Sequence, residues 1–207
     1  MVDTANSYEL VTRWEVEATP DEVFSILEEP TALPRWWPSV YLEVTEVEAG
    51  GADGVGRVTN FFTKGWLPYT LRWSARLSRA QRPTLIELDA FGDLEGHGVW
   101  TLEARGSSCL VTYRWTVRAQ AGLLKTMSFG LKPLFAANHE WAMARGLESL
   151  KLELLRRRAE TAEQRALIAE PPRPTPRSAM PLLLGTLGVV SAVAGAAVLW
   201  RRRPQDF

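Results

Sequence analysis

The sequence contains a single cysteine, Cys109, so no disulfide bond can form within the chain. One free thiol is typical of a protein in a reducing compartment. Only two histidines are present, and neither has the H-x-H or H-x-x-x-H spacing of a metal site, so no metal is expected. The chain also lacks a P-loop, a G-x-G-x-x-G turn and a G-x-S-x-G elbow, and we therefore expect no cofactor.

The chain also lacks a net charge, because it has 24 basic and 24 acidic residues. The two signs are unevenly distributed: residues 1–150 carry 14 basic and 19 acidic side chains, and residues 151–207 carry 10 and 5. Nucleic-acid binding needs a basic face, so the acidic front part excludes that class of partner. The basic residues cluster toward the C-terminus, where anionic lipid head groups would attract them.

One long apolar run is present near the C-terminus. Residues 181–200 contain no charged side chain, and Arg201, Arg202 and Arg203 follow directly. Twenty helical residues span about 30 Å, the thickness of the hydrocarbon core of a bilayer, and a helix pairs every backbone polar group internally. The run predicts a single transmembrane helix, although a buried core helix is the alternative.

The flanking charges do not decide in which direction this predicted helix crosses the membrane. Three arginines before the span (Arg165, Arg173 and Arg177) balance the three after it. No signal peptide is visible at the N-terminus, so we expect a cell-membrane protein with its N-terminal domain in the cytoplasm. Small residues recur every four positions at Gly188, Ala192 and Ala196, which either indicates a homodimer through the membrane helix or reflects ordinary membrane-helix composition.

The rest of the chain divides into a domain and a linker. Residues 1–160 are long enough for one domain, residues 161–180 form a Pro/Arg-rich linker, and residues 201–207 form a short basic tail. Alternating apolar and polar residues predict seven strands, at 8–18, 40–48, 56–64, 69–79, 84–91, 95–105 and 108–119. This pattern is typical of an antiparallel sheet with one buried face.

Three helical segments complete the domain. Thr19-Pro20-Asp21-Glu22 has the sequence of a capping box and starts a short helix before Pro30. A second short helix or turn carries residues 33–38, and a long helix runs from about Pro133 to Glu160. We predict an α+β fold in which a curved antiparallel sheet wraps around the long C-terminal helix, with two short helices after the first strand. Such a wrap often leaves a cavity for an apolar ligand.

Four stretches of this chain resemble the START/Bet v 1-like (SRPBCC) superfamily, and more narrowly its bacterial polyketide cyclase/dehydrase-like proteins. These stretches are residues 14–24, WWP at 36–38, GDLEGHGVW at 92–100 and NHEWAMARGLESL at 138–150. The resemblance covers roughly residues 7–155. It implies a helix-grip fold with a hydrophobic cavity, but not one activity, because fold alone does not fix function.

Nine tryptophans are the most unusual feature of the composition. Their large rigid rings suit either a solid core or the wall of a ligand cavity. Trp36 and Trp37 lie between prolines, where they either gate a pocket mouth, touch the membrane interface or pack as an ordinary lid. The residues that we predict for the cavity are Trp36, Trp37, Tyr69, Trp73, Trp100, Tyr113, Trp115, Asn138 and Trp141.

Catalytic candidates are few. His97 and His139 are the natural general acids or bases near neutral pH, and Arg35 and Asp93 are the other candidates, although a structural role is the alternative for each histidine. We therefore predict a membrane-tethered protein that binds a hydrophobic small molecule or lipid in an aromatic-lined cavity, and we favour binding over catalysis. A polyketide cyclase/dehydratase-type enzyme and an interaction scaffold with a vestigial cavity are the alternatives.

Overall fold

The computed structural model describes residues 7–119 and 132–176. A seven-stranded antiparallel sheet forms the body of the domain, in the order β1-β7-β6-β5-β4-β3-β2. Its strands are β1 Ser7–Val16, β2 Tyr41–Glu48, β3 Val58–Lys64, β4 Thr70–Gln81, β5 Leu85–Gly92, β6 Leu94–Arg105 and β7 Ser108–Ala119. The predicted antiparallel sheet and its strand positions are confirmed, because alternating burial is a strong local signal.

Strands β2 to β7 each pair with their neighbours in sequence, as successive hairpins. β1 is the exception, since Ser7 lies opposite Arg118 and Val16 lies opposite Cys109 of β7. The N-terminal strand therefore adds to the sheet beside the last one. The long helix that follows β7 in the sequence packs against β1.

The helices are α1 Pro20–Leu27, α2 Leu33–Trp36, α3 Lys132–Arg158 and α4 Ala162–Ala166, with a 3₁₀ turn at Pro30–Ala32. The capping box of α1 forms as predicted: Glu22 N donates to Thr19 Oγ1 at 3.2 Å, and Thr19 N donates to a Glu22 carboxylate oxygen at 2.8 Å. The long helix α3 packs against β1, α1 and α2. The helix-grip-like arrangement of sheet and C-terminal helix is thus confirmed.

The C-terminal half of α3 packs against the buried core of the domain. Leu150 and Leu154 of α3 are buried with Trp14 and Val16 of β1 and with the apolar face of α1. Gly146 lies one turn earlier and is small for a reason: a Cβ there would lie 2.3 Å from the indole ring of Trp37. The absent side chain lets a tryptophan pack directly against the helix backbone.

A buried carboxylate joins α3 to the α2 segment. Glu153 is 1% exposed, and its two oxygens accept hydrogen bonds from Arg35 Nη1 and Nη2, each at 2.7 Å. Arg157, one turn along, donates to Glu153 from Nε at 3.0 Å. Burial by itself raises the pKa of Glu153, but the hydrogen bonds from Arg35 and Arg157 outweigh it and lower the pKa.

The region that we expected to be a linker contains further structure. α4 begins with a second capping box, in which Gln164 N donates to Thr161 Oγ1 at 3.2 Å. The chain after α4 then returns along the domain, because Arg156 donates to the carbonyl of Ala169, Pro171 is buried and Lys64 donates to the carbonyl of Thr175. Residues 167–175, called the return segment below, belong to the same compact unit as the sheet.

Within residues 7–119 and 132–176, no helix is both long enough and apolar enough to cross a bilayer. The predicted span at 181–200, with its small residues Gly188, Ala192 and Ala196, lies outside these residues.

Candidate functional site

A cavity of about 160 Å³ lies between the sheet and the N-terminal half of α3. The helix contributes Phe135, Asn138, His139, Ala142 and Met143 to its wall. These positions follow the i, i+3, i+4, i+7, i+8 spacing of one helical face, so a single face of α3 closes the cavity.

The sheet supplies the opposite wall through side chains that alternate along its strands. The lining residues outside α3 are Tyr8, Leu10, Trp37, Val40, Tyr41, Thr63, Lys64, Gly65, Tyr69, Leu71, Trp73, Leu94, Tyr113, Trp115 and Val117. Most of this wall is aromatic or aliphatic. Such a surface favours an apolar ligand, because burial of apolar area is the main favourable term on binding.

Trp37 forms the boundary between the cavity and the packed part of the core. One part of it lines the cavity, and its indole ring lies against Gly146 of α3. Trp36 and Trp14 pack around it, with ring centroids 5.5 Å and 6.0 Å away. Trp36 and Trp37 therefore fill the space between the sheet and the C-terminal half of α3, called the packed half below. The space beside the N-terminal half of α3 stays open as the cavity and is called the open half.

The open half is bordered by the loop between β3 and β4, residues 65–69, called the rim loop below. The side-chain oxygen of Asn138 accepts hydrogen bonds from the backbone N–H groups of Trp66 and Leu67, at 3.0 Å and 3.3 Å. Gly65 is needed for this close approach, since a Cβ there would lie 2.1 Å from Asn138 Oδ1. The rim loop is thus fixed to α3 beside the cavity.

Four titratable groups of the wall, one histidine and three tyrosines, are held in their neutral forms. Burial lowers the pKa of His139 to about 4, and its Nε2 lies 3.4 Å from Thr12 Oγ1 of β1. Burial, with a smaller contribution from Tyr8, raises the pKa of Tyr69 to about 12. Burial also raises the pKa of Tyr41 and Tyr113. At neutral pH these four side chains offer polar contacts without charge.

The low pKa of His139 predicts an acid-sensitive fold. The unfolded chain binds a proton at His139 near pH 6.5 and the folded chain only near pH 4, so stability is lost as the pH falls through that window. We expect the free energy of unfolding to drop by about 2 kcal/mol between pH 6.5 and 4.5. Urea unfolding at several pH values measures this drop.

The matched variant is His139→Gln, which keeps a polar side chain at this position but cannot titrate. Its free energy of unfolding should change much less across the same window, because the carboxylates with a lowered pKa, Glu22, Glu153 and Glu163, lose most of their stabilisation only below pH 4.5. An equal pH dependence in both proteins would show that His139 is not the group responsible.

The structure brings six of the nine cavity residues that we predicted to the wall: Trp37, Tyr69, Trp73, Tyr113, Trp115 and Asn138. The other three lie elsewhere. Trp36 is fully buried in the packed half of the core, and Trp100 is buried between Trp14 and Tyr113, with ring centroids 5.4 Å and 4.0 Å away. Trp141 is half-buried on a face of α3 that is not part of the wall.

The four catalytic candidates do not converge. His97 is exposed on β6, with Nδ1 2.8 Å from Asp89 Oδ1 on the neighbouring strand. Asp93 accepts a hydrogen bond from the backbone N–H of Arg72 at 2.7 Å and so holds a turn. Arg35 binds Glu153, which lies 14 residues, or about 21 Å, further along α3 than His139. Only His139 of the four lines the cavity.

Several wall residues were missed at the sequence level, above all Phe135, Ala142 and Met143 of α3. Their signal is present in the helical spacing that they share with Asn138 and His139. Tyr8 and Leu10 alternate with polar residues on β1, and the two-residue period of a strand puts both side chains on its buried face. What the sequence did not reveal was where the packed core ends and the open half begins.

No group of three His, Cys, Asp or Glu side chains that could hold a metal ion occurs within the described part of the chain. No curated protein sequence matches the chain. Similarity in fold is extensive. The Zhui aromatase/cyclase from Streptomyces sp. R1128 has a TM-score of 0.58 and 16% sequence identity, covering 74% of this chain and 97% of that one.

Two further solved structures have the same fold. A START superfamily protein from Mycobacterium smegmatis has a TM-score of 0.58 and 14% identity, over 70% of this chain and 96% of that one. A protein from Thermus thermophilus has a TM-score of 0.58 and 16% identity, over 73% of this chain and all of its own. Identities this low establish the fold only.

The sequence profile of one family, described as "Polyketide cyclase / dehydrase and lipid transport", matches residues 8–155. This range includes every strand, the short helices after β1 and nearly all of α3. The chain therefore belongs to the polyketide cyclase/dehydrase and lipid transport family.

Proposed function

We propose that this protein is a membrane-tethered receptor that binds a compact hydrophobic molecule in the cavity between α3 and the sheet. The observation that carries the proposal is the cavity itself, about 160 Å³ of space walled mainly by aromatic and aliphatic side chains. An apolar cavity of about 150 Å³ is known to hold one benzene molecule, so a ligand of one or two rings fits this space.

Four polar side chains of the wall favour an uncharged ligand. His139 and the three buried tyrosines are neutral at pH 7, and desolvating a charged ligand among them would be costly. The amine of Lys64 also lines the wall, where it donates a hydrogen bond to the carbonyl of Thr175.

An enzymatic role of the cyclase or dehydratase type is the second candidate, and its support is weaker. Acid–base chemistry needs groups within hydrogen-bond reach of one bound substrate. Of the candidate residues, His97, Arg35 and Asp93 are each paired outside the cavity, which leaves His139 as the one candidate acid–base group at the wall. A scaffold with a filled core is disfavoured by the open space itself.

The tether belongs to the proposal on sequence grounds. Residues 181–200 are uncharged and long enough to span a bilayer, and basic residues lie on both sides. We propose a single-pass protein of the cell membrane with the cavity domain in the cytoplasm. Pairing of two chains through Gly188, Ala192 and Ala196 stays a prediction from the small-residue spacing.

The test of the binding function is recovery of the ligand. We expect native mass spectrometry of protein purified from its own host to show a bound mass of a small apolar molecule, released by organic extraction. In parallel, the fluorescence of a small uncharged naphthalene probe should change on binding to the cavity and return to its free value as the extracted molecule displaces the probe. A protein that carries no such molecule and binds no hydrophobic probe would contradict the proposal.

A further inference from the structure

The compact unit of this chain continues beyond the part that the family profile matches. The profile ends at residue 155, whereas α4 and the return segment extend to Thr175 in the same compact unit as the sheet. Residues 156–175 are therefore an addition to the matched fold. What they do does not follow from membership of the family.

The return segment runs back along α3 without helix or turn after Ala169. Its first part lies at the end of α3, where Arg156 donates a hydrogen bond to the carbonyl of Ala169. Its last residue, Thr175, bonds to Gly65, which packs against Asn138 near the start of the same helix. Asn138 and Arg156 are 18 residues apart, about 27 Å along the axis. Six Cα–Cα steps from Ala169 to Thr175 reach at most about 22 Å, so the segment has to be nearly straight.

The end of the return segment holds two residues of the cavity wall. The carbonyl of Thr175 accepts a hydrogen bond from the amine of Lys64, and its hydroxyl donates to the carbonyl of Gly65 at 3.3 Å. Lys64 and Gly65 both line the cavity, whereas Thr175 is not part of the lining. The return segment therefore supports this part of the wall from behind.

Gly65 is the start of the rim loop and is braced from two sides. On one side, the side-chain oxygen of Asn138 accepts hydrogen bonds from the next two backbone N–H groups of the loop. On the other side, the hydroxyl of Thr175 binds the carbonyl of Gly65. The position of the rim loop thus depends on the return segment as well as on α3.

The contact with Lys64 links the return segment to the interior of the wall. Lys64 is 8% exposed, and the sheet fixes its backbone, because its N–H donates to the carbonyl of Val40 at 2.9 Å. A buried amine that loses an acceptor is destabilised, and its side chain then has to move toward water or another acceptor. Undocking of the return segment would therefore disturb the wall at this side chain.

The composition of the return segment lowers the entropic cost of docking. Residues 171–176 include four prolines, at positions 171, 172, 174 and 176. Proline restricts the backbone of the undocked chain, so less conformational freedom is lost when the segment docks. Pro171 is buried and anchors the segment, whereas Pro174 is exposed.

We propose that the return segment is a strap that braces the cavity wall at Lys64 and Gly65, and that its docking and ligand binding stabilise each other. The inference rests on the proposed function, because the coupling needs a ligand in the cavity. With the return segment docked, the wall is held and the ligand leaves slowly. With the segment undocked, Lys64 and the rim loop lose contacts and the ligand leaves faster. Linkage is reciprocal, so a bound ligand keeps the segment docked by the same factor.

The first test compares two aspartate variants of the full chain. Pro171→Asp puts a carboxylate at the buried anchor and should release the return segment, whereas Pro174→Asp makes the same change of charge at an exposed position. Stopped-flow displacement of the small uncharged naphthalene probe measures the dissociation rate. We expect this rate to rise about tenfold in Pro171→Asp, a typical coupling between two sites, and to change less than about twofold in Pro174→Asp.

The second test measures the reciprocal effect by hydrogen exchange in the wild-type chain and needs no variant. We expect a saturating concentration of the probe to slow exchange of the backbone amides of the return segment about tenfold. The control is α1, none of whose residues lines the cavity. In Pro171→Asp, the amides of the return segment should exchange faster than in the wild-type chain.

The outcomes separate the inference from the proposed function. Equal slowing of exchange in α1 and the return segment, or slowing in neither, would overturn the inference. Wild-type dissociation kinetics in Pro171→Asp, with faster exchange of its return segment, would overturn it as well. Both results leave the proposed function in place, because the probe still binds. A wild-type chain that binds no probe would refute the proposed function and the coupling together.

Discussion

Replacing Ala142 by phenylalanine is expected to abolish ligand binding while the domain stays folded. Ala142 lies on the face of α3 that closes the cavity. A benzene ring fills an apolar cavity of about 150 Å³, so the ring of the new side chain would take most of the 160 Å³ available. We expect the Kd for a cavity ligand to rise at least about 100-fold, equivalent to about 2.7 kcal/mol.

The matched control is Ala144→Phe, because Ala144 is on the same helix but exposed. Both variants change helix propensity equally, by about 0.5 kcal/mol. Fluorescence titration with a small uncharged naphthalene probe and with the extracted ligand measures the affinities, and circular dichroism checks the fold. Wild-type affinity in Ala142→Phe would place the binding site elsewhere and would refute the proposed function.

Removing Arg35, which binds the buried carboxylate of Glu153, is expected to destabilise the domain. In Arg35→Met, the carboxylate of Glu153 stays buried but loses two 2.7 Å hydrogen bonds and keeps only Arg157. Leaving a fully buried charge without a partner costs about 3 kcal/mol, but Arg35 is itself 57% exposed and Arg157 remains, so we expect about 2 kcal/mol. For a domain of this size that corresponds to a fall in Tm of roughly 4–8 °C.

Two comparisons separate this effect from a general loss of an arginine. The double variant Arg35→Met/Glu153→Leu should recover most of the stability, since a buried ion pair replaced by apolar groups is often neutral. Arg82→Met breaks only exposed ion pairs with Asp21 and Glu28 and should cost less than about 1 kcal/mol. Chemical unfolding measures the free energy of unfolding of each variant. Equal losses of this free energy in Arg35→Met and Arg82→Met would contradict the stabilising role of the Arg35–Glu153 pair.

Local patterns predicted the fold well. The seven strands alternate between a buried and an exposed face, and the capping box at Thr19 forms as its sequence indicates. These features depend on neighbours in the chain, which a sequence shows directly. The second capping box, at Thr161 and Gln164, has the same kind of signal and was overlooked inside a segment rich in polar residues.

The site was less predictable, because it depends on contacts between distant residues. The packing of Trp37 on Gly146 decides where the cavity ends, and these residues are 109 positions apart. The alternation of β6 correctly gives Trp100 an inward side, but not the neighbours that enclose it in the packed half. Likewise, nothing in the proline pattern of residues 171–176 indicates that this stretch turns back toward the rim loop.

The pairing of β1 with β7 has a consequence for synthesis on the ribosome. β1 is made first, yet its partner residues 109–118 follow about 100 positions later. At a translation rate of about 5–20 residues per second, the N-terminal strand waits roughly 5–20 s for that partner. During this interval Tyr8, Leu10 and Trp14 lack the strand that pairs with β1 in the folded domain, so the burial of these side chains is one of the last steps of folding during synthesis.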